Sequence, residues 1–351
     1  MREILKMSTK IDTNIIIKRK GEIMKATVCQ RYGGPEIFEI KDVPTPMIKD
    51  DEILVEVKQA IVSPTDCNFR SGKPAISRLF SGLLKPKQQI QGEMFQGIIT
   101  EIGDKVTTFS VGDTVYGTNG MKLGGYGEYV AVKTKEAIKT VPNGIDEEAA
   151  LTLLDGGITA LPFLKEKGGI KQGQTILVIG ASGAVGSMGV MIAKHFKTMV
   201  TGVCSTSNLD KVKGIGADKV IDYTTTDYTK QENQYDIIFD AVGKSSYKAC
   251  KNILSNDGIY LTTVPSLGIM LSSLFKENKS KKRAGFMAAG LRKPDVKIKD
   301  LIYLEGLIQA NELTPLIEKE FSINDLGEAQ AYVETGHKVG NVIVNLDFEQ
   351  R

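Results

Sequence analysis

The stretch Thr175-Ile-Leu-Val-Ile-Gly-Ala-Ser-Gly-Ala-Val-Gly186 decides the fold. Apolar residues run from Ile176 to Ile179 straight into Gly180, Gly183 and Gly186. Ser187-Met-Gly-Val-Met-Ile-Ala-Lys-His195 follows with a helix-compatible pattern. A buried strand that turns through glycines into a helix is a phosphate cradle. Glycine permits the tight turn and lets backbone N–H groups approach a pyrophosphate, and the positive end of the helix dipole meets the charge. The spacing is G-x-x-G-x-x-G, not the commoner G-x-G-x-x-G, and an ordinary strand–turn–helix can also carry glycine here.

The downstream pattern favours the nucleotide reading. Thr198–Cys204 reads as a second strand, followed by Ser205-Thr-Ser-Asn208, a short polar helix and a strand within Gly216–Tyr223. Tyr235–Asp240 and Gly258–Val264 read as two more strands. Strands alternating with helices predict a parallel, doubly wound α/β sheet. An acidic residue ending the second strand would bond ribose hydroxyls and favour NAD. The turn offers Ser205, Thr206, Ser207 and Asn208 instead, donors that suit the extra phosphate of NADP. The expected cofactor is NADPH.

Upstream the texture differs. Short alternating or glycine-punctuated strands are expected at Lys25–Gln30, Ile37–Ile40, Ile53–Ala60, Gly97–Gly103, Gly112–Gly117 and Gly127–Val132. That spacing predicts a mainly antiparallel β domain, with a helical bridge over Asp146–Lys167.

The chain has 351 residues, 41% hydrophobic and 25% charged, enough for two domains with their own cores. No apolar run approaches the ~20 residues that span a bilayer. Of 45 basic and 42 acidic residues, the first 23 positions hold six and three, which leaves 39 of each. A charge-balanced body gives no reason to expect nucleic acid. Cys29, Cys67, Cys204 and Cys250 are scattered, as suits reduced thiols in a cytoplasm. Residues 1–23 lack the apolar core of a secretion signal, and Met24-Lys-Ala-Thr-Val opens a strand pattern. They are expected to be a disordered leader, translated from a start set upstream of the natural one.

Further motifs lie in order along the chain: Met24-Lys-Ala with Tyr32-Gly-Gly-Pro35, Ser63-Pro-Thr-Asp-Cys-Asn-Phe-Arg-Ser-Gly72, Gly92-Glu-Met-Phe-Gln-Gly97 and Val111–Gly117. Gly124-Gly-Tyr-Gly-Glu-Tyr129, Gly157-Ile-Thr-Ala160, Phe239-Asp-Ala-Val-Gly243 and Gly336-His-Lys-Val-Gly-Asn-Val342 complete them. With the glycine turn, they make the chain resemble the medium-chain dehydrogenase/reductases, specifically the zinc-independent quinone oxidoreductase-like branch, from about Met24 onward. The resemblance implies a Rossmann sheet inserted in a GroES-like, mainly antiparallel β-barrel domain. The expected division is 24–150 with 296–351 for the GroES-like part and 151–295 for the Rossmann part.

The same resemblance implies site residues. Cofactor contacts fall on Thr159, on Gly180, Ala181, Ser182, Gly183, Ala184, Val185 and Gly186, on Ser205, Thr206 and Asn208, and on Tyr223, Val242 and Thr263. Ser63, Thr65 and Asp66 are the candidate catalytic residues, although Ser and Asp also cap helices. Asp66 and Arg70 are expected to pair, and Tyr126 and Tyr129 to line the cleft or pack. Zinc relatives place Cys, His and Cys where this chain has Ser63, Glu93 and the neighbourhood of Gly156, and the four-cysteine lobe is missing. His195 reads as a solvated helix position and His337 as a turn residue. No metal is therefore expected.

Tyr247-Lys-Ala-Cys-Lys251 matches the Y-x-x-x-K of short-chain dehydrogenases, but 67 residues after Gly180 it reads as chance. The run Lys276 to Arg283 reads as a solvated loop. Ala284–Gly290 reads as a sixth Rossmann strand, whose edge would pair across a homodimer. Ile76–Lys87 and Leu267–Ser280 are expected to wall the cleft. The expected activity is hydride transfer from NADPH to a quinone or α,β-unsaturated carbonyl. Alternatives are a zinc-free alcohol/aldehyde dehydrogenase and a non-catalytic NADPH-binding sensor or assembly module. The expected partners are a small-molecule substrate and a second copy of the chain, in the cytoplasm.

Overall fold

The computed structural model describes residues 22–232, 234–264, 269 and 282–348. The expected leader lies outside them except for Glu22 and Ile23. So do Leu267–Ser280 apart from Ile269, and the basic run Lys276 to Arg283 up to Lys281.

Six strands form one parallel sheet in the order Lys219–Asp222, Met199–Cys204, Thr175–Ile179, Tyr235–Asp240, Leu254–Thr262, Arg283–Phe286. The chain starts in the middle, runs to one edge and returns to build the other half, which is the doubly wound order. Ile176, Leu177, Val178, Ile237, Ile238 and Phe239 are fully buried. Burial of both faces explains why these strands read as continuous apolar runs rather than alternating ones.

The second sheet has seven strands. Ile317–Ser322 lies beside Asn341–Asn345, which pairs antiparallel with Glu52–Ile61. Met94–Ile102, Thr114–Thr118 and Ile138–Thr140 follow, and Tyr129–Lys133 also pairs with Glu52–Ile61. The C-terminal strand thus returns to the N-terminal sheet, which makes the nucleotide sheet an insertion. Only the pairing of Ile317–Ser322 with Asn341–Asn345 is parallel. A separate hairpin joins Ile23–Val28 to Glu39–Pro44. The strand expected at Ile37–Ile40 starts later because Pro35–Ile37 forms a tight helical turn with proline at its first position.

Residues 147–167 are helical behind the N-cap Asp146, with wider π turns at Leu153–Gly157 and Phe163–Lys167. Helix Pro294–Gln309 straddles the expected boundary at 295/296. Its Leu301, Leu304 and Leu307 join the nucleotide-sheet core. Its buried Glu305 accepts from the Tyr116 hydroxyl and from Lys139, both on the second sheet. One helix therefore fixes the two sheets against each other beside the cleft.

Candidate active site at the seam between the sheets

Gly180 leaves its strand with φ +76°, a conformation only glycine adopts without strain, and a Cβ there would collide with Val242. Gly186 must also be glycine, because a Cβ would collide with the Gly180 carbonyl. Gly183 has room around its Cα and caps helix Ala184–His195 without a side chain. No side-chain acceptor and no acidic residue lies in that first turn. Its free N–H groups and positive dipole end suit a phosphate. The turn fits the pyrophosphate of a dinucleotide.

The rest of the cradle assembles around it. Asn208 donates to Ser205 Oγ (3.1 Å) and Ser182 Oγ (3.3 Å), tying the turn after the second strand to the glycine turn. Asp240, fully buried, accepts from the N–H groups of Val242, Gly243 and Ser245 and from the Tyr260 hydroxyl. That fixes the loop carrying Val242. Thr263 donates to the Ala241 carbonyl (3.1 Å). Tyr223 is exposed, its N–H donating to the Cys204 carbonyl (3.1 Å), and Thr159 is partly exposed on helix Ile158–Pro162.

One residue of this cradle escaped the sequence reading. The second strand ends without an acid, but Asp222 on the neighbouring strand lies beside Cys204 in register. It accepts from Thr206 Oγ1 (2.5 Å) and from the Thr224 N–H and hydroxyl. Those bonds, Thr206 first, hold its carboxyl below the usual range. A carboxylate thus borders the turn, supplied by sheet pairing that local spacing does not reveal.

Across the cleft, helix Pro64–Ser71 opens with a capping box. Ser63 Oγ donates to Asp66 Oδ2 (2.6 Å), the Ser63 N–H donates to the same oxygen (2.9 Å), and the Asp66 N–H donates to Ser63 Oγ. Both residues are almost fully buried. Thr65 is exposed and has no internal hydrogen bond among the described residues. The expected pairing of Asp66 with Arg70 is absent. Arg70 bonds Gln330 Oε1 (2.7 Å), the Gly33 carbonyl (2.9 Å) and Glu334, because its side chain reaches helix Leu326–Glu334 while Asp66 turns back on its own cap. Tyr126 is fully buried and donates to the Ile61 carbonyl (3.1 Å). Cys67 is buried, and desolvation pushes its thiol up to about 12.

Glu93 begins the strand side of the same cleft. Burial pushes its carboxyl up to about 7, the Lys297 charge opposes this, and Asp66 and Asp155 add to it. Burial likewise raises Asp66 to about 6 against its bonds to Ser63. Lys297, only 6% exposed, comes from helix Pro294–Gln309. Asp155 sits in the π turn Leu153–Gly157 and accepts from Lys338 (3.4 Å). The next residue, Gly156, lies so close to the Ala184 carbonyl that a Cβ would collide with it. The acidic cluster and the start of the glycine-turn helix are therefore neighbours. Lys297 and Lys338 had no signal in the sequence, because each arrives from a distant element.

Two more links cross the seam. The Gly340 N–H donates to the Ser182 carbonyl (2.8 Å), and Gly340 bridges to Gly183. His195, expected on a solvated face, is instead held between Glu312 and the Tyr303 hydroxyl. His337 is exposed in its turn. Tyr247 donates to the Lys282 carbonyl (3.0 Å), with Lys251 exposed.

At the three positions that zinc relatives use for ligands, the Ser63 hydroxyl proton is committed to Asp66, Gly156 has no side chain, and only Glu93 carries a group that zinc accepts.

Residues 49–143 match the alcohol dehydrogenase GroES-like domain and residues 215–344 the zinc-binding dehydrogenase family. The chain is 30% identical over 335 residues to the 2-methylene-furan-3-one reductase of Solanum lycopersicum, covering 92% of this chain and 79% of that protein. It belongs to the medium-chain dehydrogenase/reductase superfamily, in the quinone oxidoreductase-like branch. Another member, the NADPH-dependent alkenal/one oxidoreductase of Arabidopsis thaliana (chloroplastic), is 29% identical over 339 residues, with the same coverage of both chains. The quinone oxidoreductase structure from Coxiella burnetii superposes on this medium-chain reductase fold with a TM-score of 0.82 at 25% identity. It covers 93% of this chain and 100% of that one. Among the described residues, no helix is long and apolar enough to cross a membrane.

Proposed function

We propose that this chain is an NADPH-dependent, zinc-independent reductase of quinones or α,β-unsaturated carbonyls. The observation that carries this is the adjacency of the uncapped start of helix Ala184–His195 to the buried acidic cluster of Glu93, Asp66 and Asp155, joined through Asp155-Gly156. Bound in the cradle, the nicotinamide supplies the hydride. The backbone of Gly180, Ala181, Ser182, Gly183, Ala184, Val185 and Gly186 holds the pyrophosphate. Ser205, Thr206, Asn208 and Tyr223 take the adenosine 2′ end. Thr159, Val242 and Thr263 flank the nicotinamide.

The other wall handles the proton. Glu93 titrates near neutrality, so its carboxyl can give the proton that a reduced quinone or enone takes up. Thr65, with its hydroxyl free, polarises the carbonyl. Ser63 and Asp66 act through the cap, holding Thr65 in place. The donor chemistry at Ser63 supports zinc independence. The hydroxyl and amide set, together with the named activity of the Arabidopsis relative, supports NADPH. Four free buried cysteines suit a reducing compartment, for which we propose the cytoplasm, and the edge strand Arg283–Phe286 is the surface for a homodimer.

Chelator-washed protein is tested for NADPH oxidation against a quinone, an enone and a saturated aldehyde. Turnover of the first two without zinc is expected. Turnover of the aldehyde alone indicates a dehydrogenase of saturated carbonyls. No turnover despite tight NADPH binding indicates a binding module. NADH binding as tightly as NADPH overturns the cofactor assignment.

A further inference from the structure

Between Asp66 and Glu93 the chain holds no acidic residue and five basic ones. The lobe within this segment is built inside out. Its polar groups face inward: Ser77 and Ser81 are buried, the Ser77 hydroxyl donates to the Asn68 carbonyl (3.3 Å), and the Ser81 hydroxyl donates to the Ser77 carbonyl (3.2 Å). The Tyr32 hydroxyl is hydrogen-bonded to Ser81 Oγ (2.9 Å) and donates to the Gly82 carbonyl. The Arg78 guanidinium lies 4.7 Å from the Tyr32 ring centre and donates to the Gly72 carbonyl (3.1 Å). Its apolar side chains face outward: Ile76, Leu79, Phe80, Leu83 and Leu84 are 51–93% exposed. Lys73, Lys85 and Lys87 are exposed beside them, and none has an ion-pair partner among the described residues.

We propose that this lobe docks the protein on an anionic phospholipid surface. Soluble chains rarely concentrate exposed apolar side chains in so short a segment, and a contiguous apolar patch marks an interaction surface. The polar framework underneath fixes the lobe with its apolar side out. The apolar residues sit on two short turns, Ala75–Ser77 and Arg78–Ser81, and on the loop after them. The unpaired lysines complement anionic headgroups, and no local acid repels them. From Met24 onward the chain holds 39 basic and 39 acidic residues, so outside this segment it carries a net −5, and the attraction is local to this face. Apolar side chains ringed by cations are the composition of interfacial anchoring. The delivery of a lipophilic quinone or enone from the bilayer rests on the proposed function, but the docking does not.

The test is flotation of the full chain with phosphatidylcholine vesicles, with and without phosphatidylglycerol. Binding to the anionic vesicles, weakened by added salt, is expected. The double variant Leu83→Asp/Leu84→Asp is expected to lose roughly tenfold or more in binding, and Lys85→Glu/Lys87→Glu to lose the preference for anionic lipid. The melting temperature is expected to stay at the wild-type value and show that the variants fold. Absence of wild-type flotation overturns the proposal. So does flotation unchanged by Leu83→Asp/Leu84→Asp, which would assign binding to another segment such as residues 1–23. Sedimentation in which that variant alone becomes monomeric also overturns it, making the lobe an interface between copies of this chain.

Discussion

On the nucleotide side, the cleft is made of backbone. Gly180 turns with φ +76°, Gly186 lies against the Gly180 carbonyl, and helix Ala184–His195 starts without a side-chain cap, all within one contiguous stretch. The opposite side is made of side chains. Asp66, Glu93, Asp155 and Lys297 reach one cleft from a capped helix, a strand start, a π turn and a helix more than 140 residues further on. A site made of backbone depends on which residues are missing a Cβ, whereas a site made of side chains depends on how distant elements pack. The two walls therefore differ in how mutation disturbs them and in how far local sequence reveals them.

The sharpest way to break this comparison is Gly186→Val. Its Cβ would strike the Gly180 carbonyl, so the turn must open, with an overpacking penalty of about 3 kcal/mol and roughly a hundredfold weaker NADPH binding. Calorimetric titration reads this, and wild-type affinity would show that the turn does not depend on backbone approach.

Glu93→Gln probes the other wall and is expected to lower kcat/KM by about a hundredfold with little change in NADPH affinity. The wild-type rate should fall as pH rises through about 7, as the carboxyl loses its proton, and the variant should lose that limb. Stability follows the same group. The folded-state pKa lies above the ordinary 4.5, so its contribution is complete below that pH and is lost as pH rises through about 7. Partial exposure brings the loss to about 2 kcal/mol. Melting curves at acidic and alkaline pH check it: wild type should lose more than Glu93→Gln across the interval.

A smaller effect separates positioning from chemistry. Ser63→Ala removes half of the capping box and is expected to lower stability by about 1 kcal/mol, while kcat/KM falls less than for Thr65→Val. Equal losses from both would make Ser63 a participant in the reaction. The smallest effect is at the adenosine end. Asp222→Asn removes a carboxylate bonded to Thr206 and should tighten NADPH binding about threefold without tightening NADH. Paired dissociation constants read this.

The parallel, doubly wound sheet was legible because it rests on a local pattern, and its insertion in the second domain was implied by the family resemblance. Fully buried strands appear as apolar runs, and the turn residues are spelled out from Gly180 to Gly186. The pairing of Asp66 with Arg70 was misread because a shared motif was taken as contact. Asp66 is committed to the helix start, and Arg70 is drawn to Gln330 and Glu334 by packing of a helix far along the chain. Asp222 was missed because sheet register, not sequence distance, sets it beside Cys204. Lys297 was out of reach for the same reason, and Glu93, marked in the sequence only by its place among the zinc-ligand positions, has no sequence neighbour that announces Lys297.

The bond from the Gly340 N–H to the Ser182 carbonyl gives the far end of the chain a part in the cradle. Gly340 immediately precedes the strand that closes the second sheet, Asn341–Asn345. Whatever tightens the glycine turn is thereby felt where that sheet closes, and the coupling works equally in reverse. Nucleotide occupancy should therefore raise the heat resistance of the second sheet, and a cut close to the C-terminus that frees Asn341–Asn345 should weaken nucleotide affinity.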